Sequence, residues 1–179
     1  MKLRTLCAQC ALALAAILAG TLSGSAARAT APIDPYEPLG FLIGHCWKGT
    51  FPGSSQTDEH CFSRIYGGKF VRDEHVVHRD GRLDDFGESI YVWDSAAGQL
   101  EYLYIESAGG FIRGTVTVED GALVFPAAGF VEKGGSMNVR SRWTRVGDDA
   151  YDVLTEFQQK DGWVRGFSLR MQRVRNGPT

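Results

Sequence analysis

Thr57-Asp58-Glu59-His60-Cys61-Phe62-Ser63-Arg64-Ile65-Tyr66-Gly67-Gly68-Lys69-Phe70-Val71-Arg72-Asp73-Glu74-His75-Val76-Val77-His78-Arg79-Asp80-Gly81 is the stretch that decides the fold of this chain. Two runs rich in β-branched and aromatic residues each end in a turn pair, Gly67-Gly68 and Asp80-Gly81, whose residues accept the positive φ angles of tight hairpins. The same punctuation recurs outward in both directions, at Pro52-Gly53-Ser54, Ala97-Gly98, Gly109-Gly110, Asp120-Gly121, Gly134-Gly135, Gly147-Asp148-Asp149 and Asp161-Gly162. Turns spaced about eight to twelve residues apart between Val-, Ile-, Phe-, Tyr-, Trp- and Thr-rich runs belong to all-β sandwiches and barrels. The expectation is an all-β domain, a single antiparallel up-and-down barrel of about ten strands.

Before the barrel, the chain opens with Lys2 and Arg4, an apolar stretch from Ala11 to Ala19 and the small-residue segment Ser25-Ala26-Ala27-Arg28-Ala29. The apolar stretch is too short to span a bilayer and is broken by Gly20, Ser23 and Gly24, so residues 1–29 read as a secretory signal peptide. Neither Cys7 nor Cys10 follows the small residues that a lipoprotein cleavage site needs, and no later run reaches spanning length, so no stable membrane anchor is expected. Residues 30–179 then form one domain in a periplasmic or secreted protein. Losing Lys2, Arg4 and Arg28 with no acid takes the formal charge from −2 to −5. An acidic chain without a basic block disfavours nucleic acid and anionic membranes as partners.

Cys46 and Cys61 are the cysteines that remain, and in an oxidising compartment such a pair is usually bridged. A symmetric hairpin about Pro52-Gly53-Ser54-Ser55 places them directly opposite each other, with Lys48 against Glu59 and Thr50 against Thr57. The predicted disulfide and the cross-strand pairs therefore come from one register.

The segment Asp34-Pro35-Tyr36-Glu37-Pro38-Leu39-Gly40-Phe41-Leu42-Ile43 predicts a short helical turn, capped by Asp34, that plugs one barrel mouth with Phe41 and Leu42. It leads into Gly44-His45-Cys46-Trp47-Lys48-Gly49. Here the chain resembles the calycin group of small barrels, the lipocalins and nitrobindin-like proteins, whose first strand carries Gly-x-Trp or Gly-x-Trp-x-Gly after a helical turn. This sequence has one additional residue between the first Gly and Trp. The resemblance implies a calycin-like barrel in which Trp47 packs near a late arginine, Arg170 or Arg173. Nitrobindin-like proteins bind haem through a late histidine, and the last histidine here is His78, so the resemblance transfers no haem ligand. The cofactor is left unassigned. Nucleophile elbows, phosphate-cradling glycine loops, His-Glu-x-x-His helices and paired zinc cysteines are all missing from the sequence.

Register supplies the candidate sites. A two-residue hairpin at Gly67-Gly68 sets His60 opposite His75 and Phe62 opposite Asp73; alternation then puts His45, Trp47, His60, Phe62, Asp73 and His75 on one face and His78 on the other. Asp58 and Arg64 share that face and read as ends that reach water. Two readings stand: a metal site on His45, His60, His75 and Asp73, or half-buried histidines hydrogen-bonded to one another and to Asp73. A loop at Ser95-Ala96-Ala97-Gly98 opposes Tyr91 to Tyr102 and Trp93 to Leu100, with Tyr104 on the same face. These rings suit the wall of an apolar cavity, or simply a filled core. A turn centred on Asp161-Gly162 sets Leu154 against Leu169 and Glu156 against Phe167, making Glu156 a candidate buried carboxylate with an inward arginine partner.

The function expected is non-catalytic binding of a small, partly hydrophobic molecule, with Trp47, Tyr91, Trp93, Tyr102 and Tyr104 as wall and Arg173 or a histidine as polar anchor. The alternatives are a metal-dependent or haem-binding protein or enzyme using the histidine cluster, and a barrel that binds a partner on its outer face without a ligand.

Overall fold

The computed structural model describes residues 34–175; the segment read as a signal peptide lies outside them. The strands are β1 (Cys46–Thr50), β2 (Thr57–Ile65), β3 (Phe70–Arg79), β4 (Arg82–Asp94), β5 (Gln99–Glu106), β6 (Phe111–Glu119), β7 (Ala122–Glu132), β8 (Gly135–Arg145), β9 (Ala150–Gln159) and β10 (Gly162–Arg173). Each pairs antiparallel with the next, and β1 pairs with β10, so the meander closes into a ten-stranded up-and-down barrel. Closure removes the exposed sheet edges that would otherwise recruit other chains. This architecture is consistent with a calycin-like barrel. Among the described residues no helix is long and apolar enough to cross a membrane.

Turn chemistry sets most registers. Asp80-Gly81 and Asp120-Gly121 both take positive φ at both positions, the backbone that matches strand twist in a two-residue hairpin. Cys46 stands opposite Cys61, Lys48 opposite Glu59 and Thr50 opposite Thr57, as expected, and the Cys46–Cys61 disulfide is formed. His60 faces His75 and Phe62 faces Asp73, although the loop between these strands holds four residues, with Ile65 and Phe70 as the last pair. Tyr91 faces Tyr102 and Trp93 faces Leu100.

The last hairpin departs from expectation. Gly162 pairs with Gln159, so the turn is centred one residue early, and Glu156 faces Arg165 rather than Phe167. Gly162 alone carries the positive φ there and has become the first residue of the strand. A bulge between Arg165 and Phe167 then returns Phe167, Leu169 and Met171 to the interior, with Leu169 opposite Val153 instead of Leu154. The consequence for Glu156 is that it lies outside the barrel, in an ion pair with Arg140 at 2.7 Å. It is not a buried carboxylate.

The plug forms from a single 3-10 turn, Glu37–Leu39, with Tyr36, Leu39 and Leu42 buried and Phe41 half-buried. Asp34 does not cap this turn; its Oδ1 accepts from the Tyr36 amide, and its carboxylate pairs with Arg64. The Tyr36 hydroxyl donates to Lys69 O at 2.6 Å and accepts from Trp93 N at 3.1 Å, which ties the plug to the β2–β3 loop and β4. Trp47, wholly buried, packs edge-on against Phe41 and Tyr151, and the Arg173 guanidinium lies over its ring at 5.2 Å. Arg173 is therefore the late arginine that the resemblance anticipates, while Arg170 pairs with Asp152 on the outer face. Gly49, two residues on, lets β10 come close: a Cβ there would stand 2.6 Å from Leu169 and Met171 side-chain atoms and 2.9 Å from the Arg170 carbonyl. The β1–β10 ladder is short, with Trp47 opposite Arg173 and Lys48 opposite Gln172.

Candidate functional site

Beyond the plug and Trp47 the interior is not filled. A cavity of about 280 Å³ lies among inward residues of β2–β10. Its walls are largely aromatic and aliphatic: Tyr91, Tyr102, Phe125, Val139, Trp143 and Met171 among them. The rings of Tyr102, Phe125, Trp143 and Tyr151 follow one another at centroid spacings of 4.7 to 5.5 Å, a continuous aromatic lining between plug and cavity.

One wall is polar. Asp58 and His60 come from β2, Asp73 and His75 from β3 and Ser89 from β4, each brought inside by strand alternation. His60 Nδ1 lies 2.8 Å from Asp73 Oδ2 and its Nε2 lies 3.1 Å from Asp58 Oδ2. His75 Nε2 lies 3.1 Å from the Tyr104 hydroxyl oxygen, and the two imidazoles stack with centroids 5.2 Å apart. Gly87 sits opposite His75 on β4, where a Cβ would come within 2.7 Å of His75 Nε2, so a glycine is what leaves room for that imidazole.

Charge balance follows from this packing. Burial by itself would drive His60 toward its neutral form, but the carboxylates of Asp73 and Asp58 outweigh it and hold the imidazolium pKa well above its usual value. Burial would likewise raise Asp58, yet the facing charge and hydrogen bond of His60, with His75 alongside, hold its carboxyl well below the usual range. Burial pushes the Tyr102 phenol up to about 12, and burial together with nearby carboxylates raises Tyr104, so both stay protonated hydroxyls. Three buried atoms here have no hydrogen-bond partner: Asp58 Oδ1, Asp73 Oδ1 and His75 Nδ1.

The structure brings together His60, His75 and Asp73, and Tyr91, Tyr102 and Tyr104 with them around the cavity. It separates the rest of the expected set. His45 precedes β1 and belongs to the turn that leaves the plug, its amide donating to Leu42 O, so strand alternation does not carry it inward. It packs edge-on to Trp47 beside Arg173, and burial with the Arg173 charge lowers its pKa. Trp47 is packing beneath the cavity rather than wall. Trp93 points the same way as Tyr91 but stands beyond it toward the barrel end, 38% exposed. Arg173, occupied with Trp47 and Asp148 O, does not line the cavity.

Asp58 takes the place that His45 vacates: Asp58, His60 and His75 each present a donor atom, all within 4.8 Å of one another. Its position two residues before His60 on one strand was the available signal. Phe125, Trp143, Ser141 and Thr155 also line the site without having been singled out. The ladders on either side of Phe125 carry register breaks, between Ile112 and Thr117 where β6 meets β7 and between Phe125 and Ala128 where β7 meets β8, that simple alternation does not anticipate. Compared with known proteins, the chain matches no protein-family model, and a search of the curated proteins returns no match.

Proposed function

We propose that this protein is an exported barrel whose interior binds one small, largely apolar molecule, without chemistry on it. The observation that carries the reading is the cavity of about 280 Å³, close to the lower end of small-ligand sites, with aromatic walls and a single polar side. Apolar walls supply the bulk of the binding free energy, and the polar side fixes orientation. That side offers unpartnered acceptor oxygens on Asp58 and Asp73, which suits a ligand with a hydrogen-bond donor at one end and disfavours a free carboxylate. The disulfide supports an oxidising compartment, in keeping with residues 1–29 as an export signal.

The test is titration with a neutral environment-sensitive dye. Saturable one-to-one enhancement is expected from the folded protein. Val139→Phe, which puts a ring into the void, should abolish it while the unfolding midpoint shows the variant still folded. Unsaturable binding, or equal binding by the two proteins, would refute the site.

A further inference from the structure

We propose that Asp58, His60 and His75 form a site for one divalent first-row transition-metal ion, of the zinc, cobalt or iron type, set in the polar wall of the cavity. The three donor atoms lie within 4.8 Å of one another, close enough to share one ion. Two atoms each about 2.1 Å from a metal and 90 to 110° apart at it lie about 3.0 to 3.4 Å from each other. His60 Nε2 is 3.1 Å from Asp58 Oδ2, within that range, and His75 Nδ1 is 3.5 Å from the other Asp58 oxygen, Oδ1, just beyond it. Two imidazoles and one carboxylate are a donor set that first-row ions of intermediate softness accept.

The outer partners carry the argument further. A metal-bound histidine typically gives its other ring nitrogen to a carboxylate or another oxygen, which fixes the ring. His60 offers Nδ1 to Asp73, and His75 offers Nε2 to the Tyr104 hydroxyl, so each ring is held from behind with its remaining nitrogen aimed at Asp58. Asp73 thus orients an imidazole rather than ligating. In the tautomer that donates Nε2–H to the Tyr104 oxygen, His75 Nδ1 presents a lone pair toward the Asp58 carboxylate, and neither Nδ1 nor Asp58 Oδ1 has a partner. His75 is 7% exposed, so water does not readily satisfy that nitrogen. A cation between the two acceptors answers both. Binding replaces the Nε2 proton of His60 with the ion, and that proton leaves to solvent. All three residues line the cavity, so the ion's free positions face its contents.

The experiment is a cobalt(II) titration of the disulfide-bonded protein after chelator treatment, followed by the visible absorption of the bound ion, with zinc added as competitor. One equivalent should bind and be displaced by zinc. Asp58→Ala and His75→Ala should abolish uptake, Tyr104→Phe should weaken it by about 10- to 100-fold, and His45→Ala and His78→Ala should leave it unchanged. Because the buried variants can fail to fold, long-range nitrogen NMR of the unmodified protein gives a second reading: zinc should shift His60 and His75 and leave His45 and His78 alone. No uptake, uptake insensitive to Asp58 and His75, or shifts at His45 or His78 instead would overturn the site. The ion is read by its own absorption, so its failure would leave the dye-binding cavity standing.

Discussion

Removing the Cys46–Cys61 bridge should cost about 3 kcal/mol. The bond closes a loop with a sequence separation of 15, and the loop-entropy relation then gives about −10 cal/mol/K, or about 3 kcal/mol at 25 °C, as the restriction lifted from the unfolded chain. In the folded state the bridge joins directly opposed residues of neighbouring strands, so its loss leaves the register and the cavity walls in place. For a domain of this size the loss corresponds to a midpoint about 6 to 12 °C lower. The measurement compares urea unfolding of wild type, reduced wild type and Cys46→Ser/Cys61→Ser. The last two should show the same drop, with a denaturant slope no smaller than that of wild type because the freed unfolded chain exposes at least as much surface, and dye binding below the transition should survive. A loss under about 1 kcal/mol would refute the loop argument, and two alkylatable thiols in native, non-reduced protein would refute the bridge itself.

Two further outcomes follow from the polar wall. Gly87→Ala should destabilise by about 1 to 3 kcal/mol, the range for overpacking, because the added methyl meets His75 Nε2 and the β5 backbone; a change within about 0.5 kcal/mol in urea unfolding would mean that the barrel yields there without cost. In chelator, stability should be greatest in a mildly acidic band. The raised His60 pKa contributes below its unfolded value of about 6.5 and is lost as pH rises through the folded pKa, while the lowered Asp58 pKa contributes above about 3.9 and is lost as pH falls through its own. His60→Gln should remove the alkaline decline, and a profile flat from pH 5 to 9 in wild type would contradict the ion pairs.

Legibility in the sequence tracked the backbone constraints. Where a turn pair fixed the φ angles or two cysteines had to meet, one register carried a whole hairpin, and His60, His75 and Asp73 came with it. Asp161-Gly162 looked like the same signal, but the bulge at Gly166, whose open space holds the Phe157 ring, absorbed the slip, and nothing local announces a bulge. His45 was misplaced because alternation was extended one residue past the strand's start. Asp58 was on the correct face but was read as solvated, since burial of a carboxylate depends on the imidazoles that surround it in space. The cavity was the least legible feature: the same aromatics at the same parity fill a barrel or line one, and the difference lies in how far Phe125, Trp143 and Tyr151 lean together.

The short β1–β10 ladder has a consequence for how the molecule comes to exist. Every other ladder joins consecutive strands and forms locally, whereas this one brings Trp47 to Arg173 across nearly the whole span of described residues. Contacts of such separation carry the largest loop-closure cost and come late in folding. A ribbon without that closure would leave its aromatic face open and two edges free, the arrangement most exposed to misassembly. The disulfide rivets β1 to β2, so that one clasp, not a loose strand, has to meet β10. The cavity is enclosed only when the first strand and the last have met.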